Sequence, residues 1–293
     1  MPNQTLWGHP KGLYILFFTE MWERFSYYGM RAIFILYLTA KTTEANAGLG
    51  WDKVSALELY GWYTMLVYVM SVPGGLLADR WLGQKKTVML GGVLLCIGHF
   101  ILAFDALWAF YSGIAFIILG VGALKPNISS MVGGLYQQGD LKRDSAFTIF
   151  YIGINIGAFA APLLVGYVGE VINWHYGFGL AGIGMAIGQI VYVWGQKYLT
   201  TVGNFVPAQR EIGTNRSIPL TSVEKDRMIV LVLSFLIVIV FWGAYEQAGG
   251  LMNLYARDKI DRVMFGFAVP ASFLQALHAF YVILLGVPVA YFW

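Results

Sequence analysis

The sequence has little charge and almost no cysteine. Of its 293 residues, 12% are charged and 58% are hydrophobic, whereas a soluble domain carries roughly 25% charged residues. This composition excludes an ordinary soluble domain and indicates a membrane protein. The single cysteine, Cys96, excludes an internal disulfide and a cysteine metal cluster. A net charge of +3 is too small to favour nucleic acid as a partner.

Long apolar runs make up most of the sequence. A bilayer core needs roughly 20 apolar residues per helix, and the chain offers eight such segments, at about 12–38, 57–78, 86–105, 107–137, 146–171, 176–197, 227–249 and 271–292. The fourth is too long for one straight crossing. We therefore expect it to extend beyond the membrane or to bend near Pro126.

One polar stretch divides these spans into two groups. Residues 198–226 contain prolines, a glycine and mixed charges, which is typical of a linker. The predicted fold is an all-α polytopic membrane protein, with a six-helix bundle at 1–197, a cytoplasmic linker at 198–226, and helices 7 and 8 of an incomplete second bundle at 227–293. Because no basic residue follows the last span, we expect the chain to be the first two-thirds of a longer protein.

The distribution of basic residues predicts the orientation. With a cytoplasmic N-terminus, the cytoplasmic segments carry Lys11, Arg80, Lys85, Lys86, Lys142, Arg143, Lys197, Arg210, Arg216, Lys225 and Arg227. The outer segments carry only Lys41, Lys53, Arg257, Lys259 and Arg262. This excess of cytoplasmic Lys and Arg favours that orientation, and we expect the protein to lie in a bacterial inner membrane.

The first span carries four ionisable residues, which are costly inside a membrane. Glu20, Glu23 and Arg24 share one helical face through their spacings of three and four, and Arg31 follows two turns later. A structural ion-pair network is the plain interpretation, although such networks often add no stability. The alternative is a water-lined cavity in which Glu20 and Glu23 exchange protons.

Two further spans carry a buried charge each. Lys125 lies in the fourth span and Glu246 in the seventh. Two acids against three bases in the first bundle leave excess positive charge, which suits an anionic group such as a substrate carboxylate. Protonation of a glutamate would free Arg24 or Lys125 to bind that carboxylate.

The loop between the second and third spans carries a specific pattern. Residues 74–86 read GGLLADRWLGQKK, which closely resembles the cytoplasmic loop signature of the major facilitator superfamily. The resemblance implies a role in conformational gating, away from the substrate, for Gly75, Asp79, Arg80 and Gly83.

Four segments resemble one family within that superfamily. Residues 20–31, EMWERFSYYGMR, are similar to the ExxERFxYYG signature of the proton-dependent oligopeptide transporters. The segments 122–127 (GALKPN) and 241–247 (FWGAYEQ) resemble that family's helix 4 and helix 7 sequences. Residues 147–157, FTIFYIGINIG, resemble its helix 5 signature FSxFYxxINxG. The resemblance covers the whole chain but only eight of the family's twelve helices.

The resemblance implies a role for each matching residue. The peptide carboxylate would bind Arg24, Arg31 and Lys125. Tyrosines would line the cavity at Tyr27, Tyr28, Tyr68 and Tyr151. Further substrate contacts would come from Asn155, Trp242 and Glu246. Proton coupling would involve Glu20, Glu23, Arg24, Lys125 and Glu246.

Two features depart from the family pattern. The segment 198–226 has no room for the two helices that many bacterial members insert there. His278 stands where the family often has asparagine, and a titrating imidazole there would alter amino-end recognition or pH dependence. It could equally be a packed histidine.

The sequence therefore favours a proton-coupled symporter that imports di- and tripeptides by alternating access. The expected partners are peptide, protons and membrane lipid, with the proton gradient as driving force and no cofactor or metal. A transporter of another small anion, such as nitrate, and a non-transporting fragment remain alternatives. An intramembrane enzyme is disfavoured because no nucleophile–base pair or metal-ligand pattern stands out.

Overall fold

The protein is described from a computed structural model covering residues 5–206, 221–264 and 266–292, with side chains up to residue 286. The α-helices of these residues are α1 Lys11–Thr39, α2 Lys53–Val69, α3 Ser71–Leu77, α4 Gln84–Leu102, α5 Leu107–Gly134, α6 Lys142–Tyr167, α7 Trp174–Gly195, α8 Ser222–Tyr245, α9 Leu251–Lys259 and α10 Ala276–Phe292. Two short antiparallel hairpins accompany them: β1 Thr5–Leu6 with β2 His9–Pro10, and β3 Val263–Met264 with β4 Phe267–Ala268. Every predicted span overlaps a helix, so the prediction of a helical polytopic protein is confirmed.

Some helices continue as tighter or wider turns. Single π-helical turns extend α3 through Ala78–Leu82 and α6 through Val168–Ile172. In the described residues, six continuous helices are long and apolar enough to cross a membrane, namely 53–82, 84–102, 107–134, 142–172, 174–198 and 222–259. The first helix is set apart from these by Glu20, Glu23, Arg24 and Arg31 in its interior, and the last is a shorter apolar helix over 271–286.

Two helix bounds differ from the sequence prediction. Helix α8 begins at Ser222, inside the predicted linker, because Thr221 and Glu224 form a reciprocal capping box at its start. Beyond a 3₁₀ turn at Glu246–Ala248, the short helix α9 occupies part of the predicted outer loop. The middle of the linker, residues 207–220 with Arg210 and Arg216, lies outside the described residues.

Helix α5 continues through Pro126 without interruption. Its 28 residues span about 42 Å at 1.5 Å per residue, which exceeds a hydrocarbon core of about 30 Å. This length agrees with the expectation that the fourth span extends beyond the membrane.

Helix α1 occupies the interior and is buried along most of its length, packed against α6 and α7. Small residues allow neighbouring helices to approach closely. A Cβ atom on Gly157 of α6 would lie 2.2 Å from the Met21 carbonyl oxygen of α1, and one on Gly74 of α3 would lie 2.0 Å from the Gly122 carbonyl oxygen of α5. Such contacts position α1, α3, α5 and α6 around the site, since close packing rather than a hydrophobic drive holds helices together in lipid.

Helix α2 begins at a side-chain cap. Asp52 Oδ1 accepts hydrogen bonds from the backbone amides of Val54 and Ser55, each at 3.0 Å. Hydrogen bonds from the side chain and backbone of Ser55 hold the pKa of Asp52 below its ordinary value. The cap fixes where α2 starts, and with it the positions of the tyrosines that α2 directs at α1.

The gating-loop residues occupy the same end of the molecule as the start of α1. Gly83 has φ +77°, and a Cβ atom there would lie 2.5 Å from the Phe205 amide nitrogen, so the described start of the linker packs tightly on this turn. Gly75 has open space around it. Asp79 and Arg80 are exposed, and within the described chain neither side chain has a hydrogen bond or ion pair.

Candidate functional site

Three charged side chains of α1 meet in the interior. Glu20, Glu23 and Arg24 are 2%, 0% and 3% exposed. Arg24 Nε lies 3.1 Å from Glu20 Oε1 and also forms an ion pair with Glu23. The carboxylates compensate the cost of burying the guanidinium. Two carboxylates therefore share one guanidinium.

Arg31 joins three separate parts of the chain. Its Nη2 lies 3.0 Å from Glu246 Oε2, and its Nε donates a hydrogen bond of 2.8 Å to the Tyr60 hydroxyl. Tyr60 in turn donates to the Glu246 backbone carbonyl at 3.0 Å. The guanidinium is therefore satisfied by α2 and by the turn that follows α8, and it holds both against α1.

Lys125 projects from α5 just before Pro126. Its Nζ lies 4.4 Å from the centroid of the Tyr68 ring, a cation–π distance. The Tyr68 hydroxyl donates a hydrogen bond of 3.0 Å to Glu246 Oε1. In the part of the chain that the structure describes, Lys125 forms no ion pair, so its ammonium is the cation of this region without a bound carboxylate.

These charged groups surround one cavity of about 590 Å³, a volume within the usual range for small-ligand sites. Ten of the predicted site residues line it: Glu20, Arg24, Tyr28, Arg31, Tyr68, Lys125, Tyr151, Asn155, Trp242 and His278. They come from α1, α2, α5, α6, α8 and α10. The structure thus brings together the three cations that the sequence hypothesis requires in one chamber.

Three predicted residues lie outside this lining. Tyr27 was expected to line the cavity, but its ring stacks on Tyr63 of α2 with centroids 6.4 Å apart, and it is only 4% exposed. Packing of α2 against α1 covers this ring. Glu23 lies beneath Arg24, and the Glu246 carboxylate is directed at Arg31 and Tyr68 instead of the open space.

The aromatic wall of the cavity comes from α2, α8 and α10. The rings of Tyr68 and Trp242 lie 6.4 Å apart, and the ring of His278 meets the edge of Tyr245 at 5.4 Å. Asn155, which also lines the cavity, donates to the backbone of Tyr151 within α6 at 2.9 Å. This wall offers apolar surface with few polar groups, as an adaptable site needs.

Sequence reasoning missed a pair of amides at the far end of the cavity. Asn253 Nδ2 and Gln275 Nε2 both donate to the Ala32 carbonyl oxygen, at 2.8 and 3.3 Å. It also missed Tyr60, which bridges Arg31 and the turn after α8. No spacing in the sequence signals these residues, because their partners are distant in the chain.

The charges around the cavity balance. Three carboxylates (Glu20, Glu23 and Glu246) accompany three cations (Arg24, Arg31 and Lys125). The expected excess of positive charge counted only the two acids of α1 against the three bases, and Glu246 removes it from the cluster as a whole. Of the three carboxylates, Glu20 lines the cavity, while Glu23 and Glu246 are paired with Arg24 and Arg31. The cluster therefore suits a ligand that carries both signs of charge.

Hydrogen bonds and ion pairs join the first seven helices to the later ones at one end of the molecule. Beyond Arg31 and Ala32, Thr39 Oγ1 accepts from Arg257 at 2.7 Å. Lys53 Nζ lies 2.7 Å from Asp258. Within the described residues, no hydrogen bond or ion pair joins residues 12–25, in the opposite half of α1, to the later helices. The two groups of helices are therefore closed against each other at the Thr39 end.

A carboxylate also clasps the turn before α10 at this end. Glu170 Oε2 accepts from the Ala271 amide at 3.0 Å, and its Oε1 accepts from the Ser272 amide at 2.8 Å. Asn46 supports the clasp by donating to the backbone carbonyl of Gly169 at 2.7 Å. The negative carboxylate binds the amides that a helix start leaves free.

Comparison with protein families and curated proteins places this geometry in context. The POT family model matches residues 85–212 and 208–293. The chain is 38% identical over 343 residues to an uncharacterized transporter, YclF, of Bacillus subtilis (strain 168), covering 100% of this chain and 69% of that protein. It is 36% identical over 342 residues to the di-/tripeptide transporter of Lactococcus lactis subsp. cremoris, covering 97% and 69%.

Solved structures show the same resemblance. A crystal structure of the peptide transporter POT in complex with sulfate matches with a TM-score of 0.84 and 34% identity, over 100% of this chain and 70% of that one. A POT family transporter in complex with 5-aminolevulinic acid matches with a TM-score of 0.81 and 30% identity, over 100% and 72%. The helical arrangement around the cavity is thus shared with these transporters.

Proposed function

This chain belongs to the POT family, and on that premise we propose that it is a proton-coupled symporter that imports di- and tripeptides by alternating access. It is a multi-pass membrane protein with the major facilitator superfamily fold. The observation that carries the proposal is the cavity in which Arg24, Arg31 and Lys125 meet, with Lys125 not paired to a carboxylate in the described chain. Such a cation inside a membrane protein marks a ligand or ion site.

The peptide carboxylate binds at Lys125 and Arg24. The Lys125 ammonium rests on the Tyr68 ring, and a carboxylate improves on that contact because it supplies both charge and hydrogen-bond acceptors. Arg24 Nη2 has no hydrogen-bond partner in the described chain. A carboxylate bound between these two cations completes their hydrogen bonding, since neither donor is fully used.

Proton coupling involves Glu20 and Glu23. Both hold Arg24 in the ion-paired cluster. Protonation of one carboxylate weakens its hold on Arg24 and leaves the guanidinium more available to the substrate carboxylate. Release of substrate and proton restores the cluster. A proton gradient is the driving force, and the transport requires no cofactor.

Alternating access requires the closed Thr39 end of the molecule to open. Arg31 and Glu246 bind the turn after α8 to α1 and α2. Movement of α8–α10 away from α1 would open the Thr39 end, which we assign to the outside with the N-terminus in the cytoplasm, in keeping with the distribution of Lys and Arg. The membrane is the bacterial inner membrane.

The balance of charges favours a zwitterion over nitrate. The three carboxylates and three cations of this cluster cancel one another, so a simple anion would add an uncompensated negative charge. A peptide brings one carboxylate and one ammonium, and it can address both. We therefore retain peptides as the substrate class.

Uptake into proteoliposomes tests the proposal. The 293-residue chain, reconstituted with an imposed inward proton gradient, should concentrate labelled dialanine above the external level. Lys125→Ala should abolish this uptake, while Lys41→Ala, which removes an exposed lysine outside the cavity, should transport as well as the unmodified chain. Uptake that does not respond to the gradient, or that survives in Lys125→Ala, would refute the proposal.

A further inference from the structure

Asn253 of α9 has an acceptor that the protein itself does not use. The residue is 2% exposed and lines the cavity. Its Nδ2 donates to the Ala32 carbonyl at 2.8 Å. Because a carbonyl can only accept, this bond fixes which end of the amide is nitrogen. Oδ1 is the other end, and it has no hydrogen-bond partner among the described residues.

A buried oxygen of this kind is stabilised when it accepts a hydrogen bond. Nearly all buried polar atoms in proteins are hydrogen-bonded, and an unpaired one is costly. Asn253 belongs to the helix α9, and its side chain is anchored on α1 through Ala32. Oδ1 is therefore a buried acceptor held on a residue that lines the cavity, where an N–H group of a bound molecule would satisfy it.

The separation along α1 matches the length of a small peptide. Ala32 lies eight residues after Arg24, which is about 12 Å along a helix. An extended di- or tripeptide spans about 7–11 Å, and side chains bridge the remainder. Arg24 Nη2 at one level and Asn253 Oδ1 at the other are both buried and unpartnered in the described chain. One is a cationic donor and the other a neutral acceptor, the pair that the two ends of a peptide require.

We propose that Asn253 is a substrate-contacting residue, whose Oδ1 accepts a hydrogen bond from the amino group of the peptide while Arg24 and Lys125 hold its carboxylate. This rests on the proposed peptide function. Gln275, in the turn just before α10, also supports the arrangement, because it donates to the same Ala32 carbonyl at 3.3 Å. Asn253 thereby makes a free amino end a condition of tight binding.

Calorimetric titration of the purified chain tests this assignment. The two ligands are dialanine and N-propionylalanine, in which hydrogen replaces the amino group. Asn253→Leu should weaken dialanine binding at least about tenfold, as expected for loss of a hydrogen bond to a charged group. Binding of N-propionylalanine should stay within about twofold, because it never used this acceptor. Equal weakening of both ligands, or no weakening, overturns the proposal.

Two further variants separate substrate contact from helix packing. Gln275→Leu removes the other donor to Ala32 and leaves Asn253 Oδ1 in place, so it should change both affinities by the same factor. If it reproduces the selective loss in full, the assignment to Asn253 is overturned. Asn253→Asp retains an acceptor and should bind dialanine over N-propionylalanine at least as selectively as the unmodified chain. Loss of that selectivity also overturns the proposal.

Binding and uptake report on different claims. If the unmodified chain binds dialanine selectively but does not transport it with protons, the symport function fails while the selective loss in Asn253→Leu still supports the contact. If the unmodified chain binds both ligands equally, the Asn253 contact is overturned, and uptake alone then decides the function.

Discussion

Arg31 Nη2 lies 3.0 Å from Glu246 Oε2, in an ion pair that joins residues 215 positions apart in the chain. Arg31 is 4% exposed and Glu246 is 8% exposed. Because Tyr60 and Tyr68 also bind Glu246, at its backbone and its carboxylate, this residue carries the link between α8–α9 and the first helices. The pair is central to closure of the Thr39 end.

Loss of the Glu246 charge should open that end. Glu246→Gln leaves Arg31 buried without its carboxylate, and breaking one partner of a buried pair typically costs about 3–5 kcal/mol. Ser272→Cys in a Cys96→Ala background provides the reporter, because Ser272 is fully buried at this end. Labelling by a membrane-impermeant maleimide should be faster in Glu246→Gln. Glu58→Gln, an exposed acid of α2, serves as control, and equal labelling in both would contradict the prediction.

Removal of the Glu170 clasp should have a similar but smaller effect. Glu170→Ala deletes the acceptor for the Ala271 and Ser272 amides, at a cost of about 1–3 kcal/mol for the unsatisfied groups. The same cysteine reporter should label several-fold faster than in the exposed-site control Glu44→Ala. Protection as strong as in the unmodified chain would show that the clasp does not hold the turn before α10.

Neutralisation of the α1 acids should uncouple transport from the proton gradient. Glu23→Gln and Glu20→Gln each remove a carboxylate beside Arg24 that we propose as a proton acceptor. Concentrative dialanine uptake should fall to background, whereas exchange of internal for external dialanine should persist, since exchange needs no net proton movement. Comparison of gradient-driven uptake with counterflow in the same vesicles measures both. Uphill accumulation at the unmodified rate in both variants would contradict the assigned role.

Two adjacent glycines should differ sharply in tolerance to a methyl group. A Cβ atom on Gly74 would lie 2.0 Å from the Gly122 carbonyl, while one on Gly75 would meet no atom within 4 Å. Gly74→Ala should therefore destabilise the protein by about 1–3 kcal/mol through overpacking. Gly75→Ala should leave the thermal unfolding temperature in detergent unchanged. The reverse order of the two melting temperatures would refute the described contact of α3 with α5.

The helical fold could be predicted from the sequence because a bilayer imposes it. Apolar runs of about 20 residues have few alternatives to a helix when their backbone groups lack water. The bounds were least certain where local chemistry competes, as at Ser222, where a capping box extends α8 into the polar linker, and at Leu251–Lys259, where a helix continues into the expected loop.

Part of the site could also be predicted from the sequence. Charged residues inside apolar runs are energetically costly, so the location of Glu20, Arg24, Arg31 and Lys125 alone marks them as candidate site residues. Their meeting around one cavity followed the family resemblance and is what the structure describes. The stacking of Tyr27 on Tyr63 could not be predicted from the sequence. It results from the packing of α2 over α1, and the residue spacing within α1 does not encode that packing.

The sequence by itself determined that helices cross a membrane and that α1, α5 and the segment at the end of α8 bring charges into it, since composition and period suffice for both. Only the tertiary structure decided which charges are paired and which are free. Glu246 takes Arg31, the α1 acids take Arg24, and Lys125 is left to a tyrosine ring. The reason is that an ion pair depends on distances of a few ångströms between side chains on different helices, and those distances are set by how the helices pack.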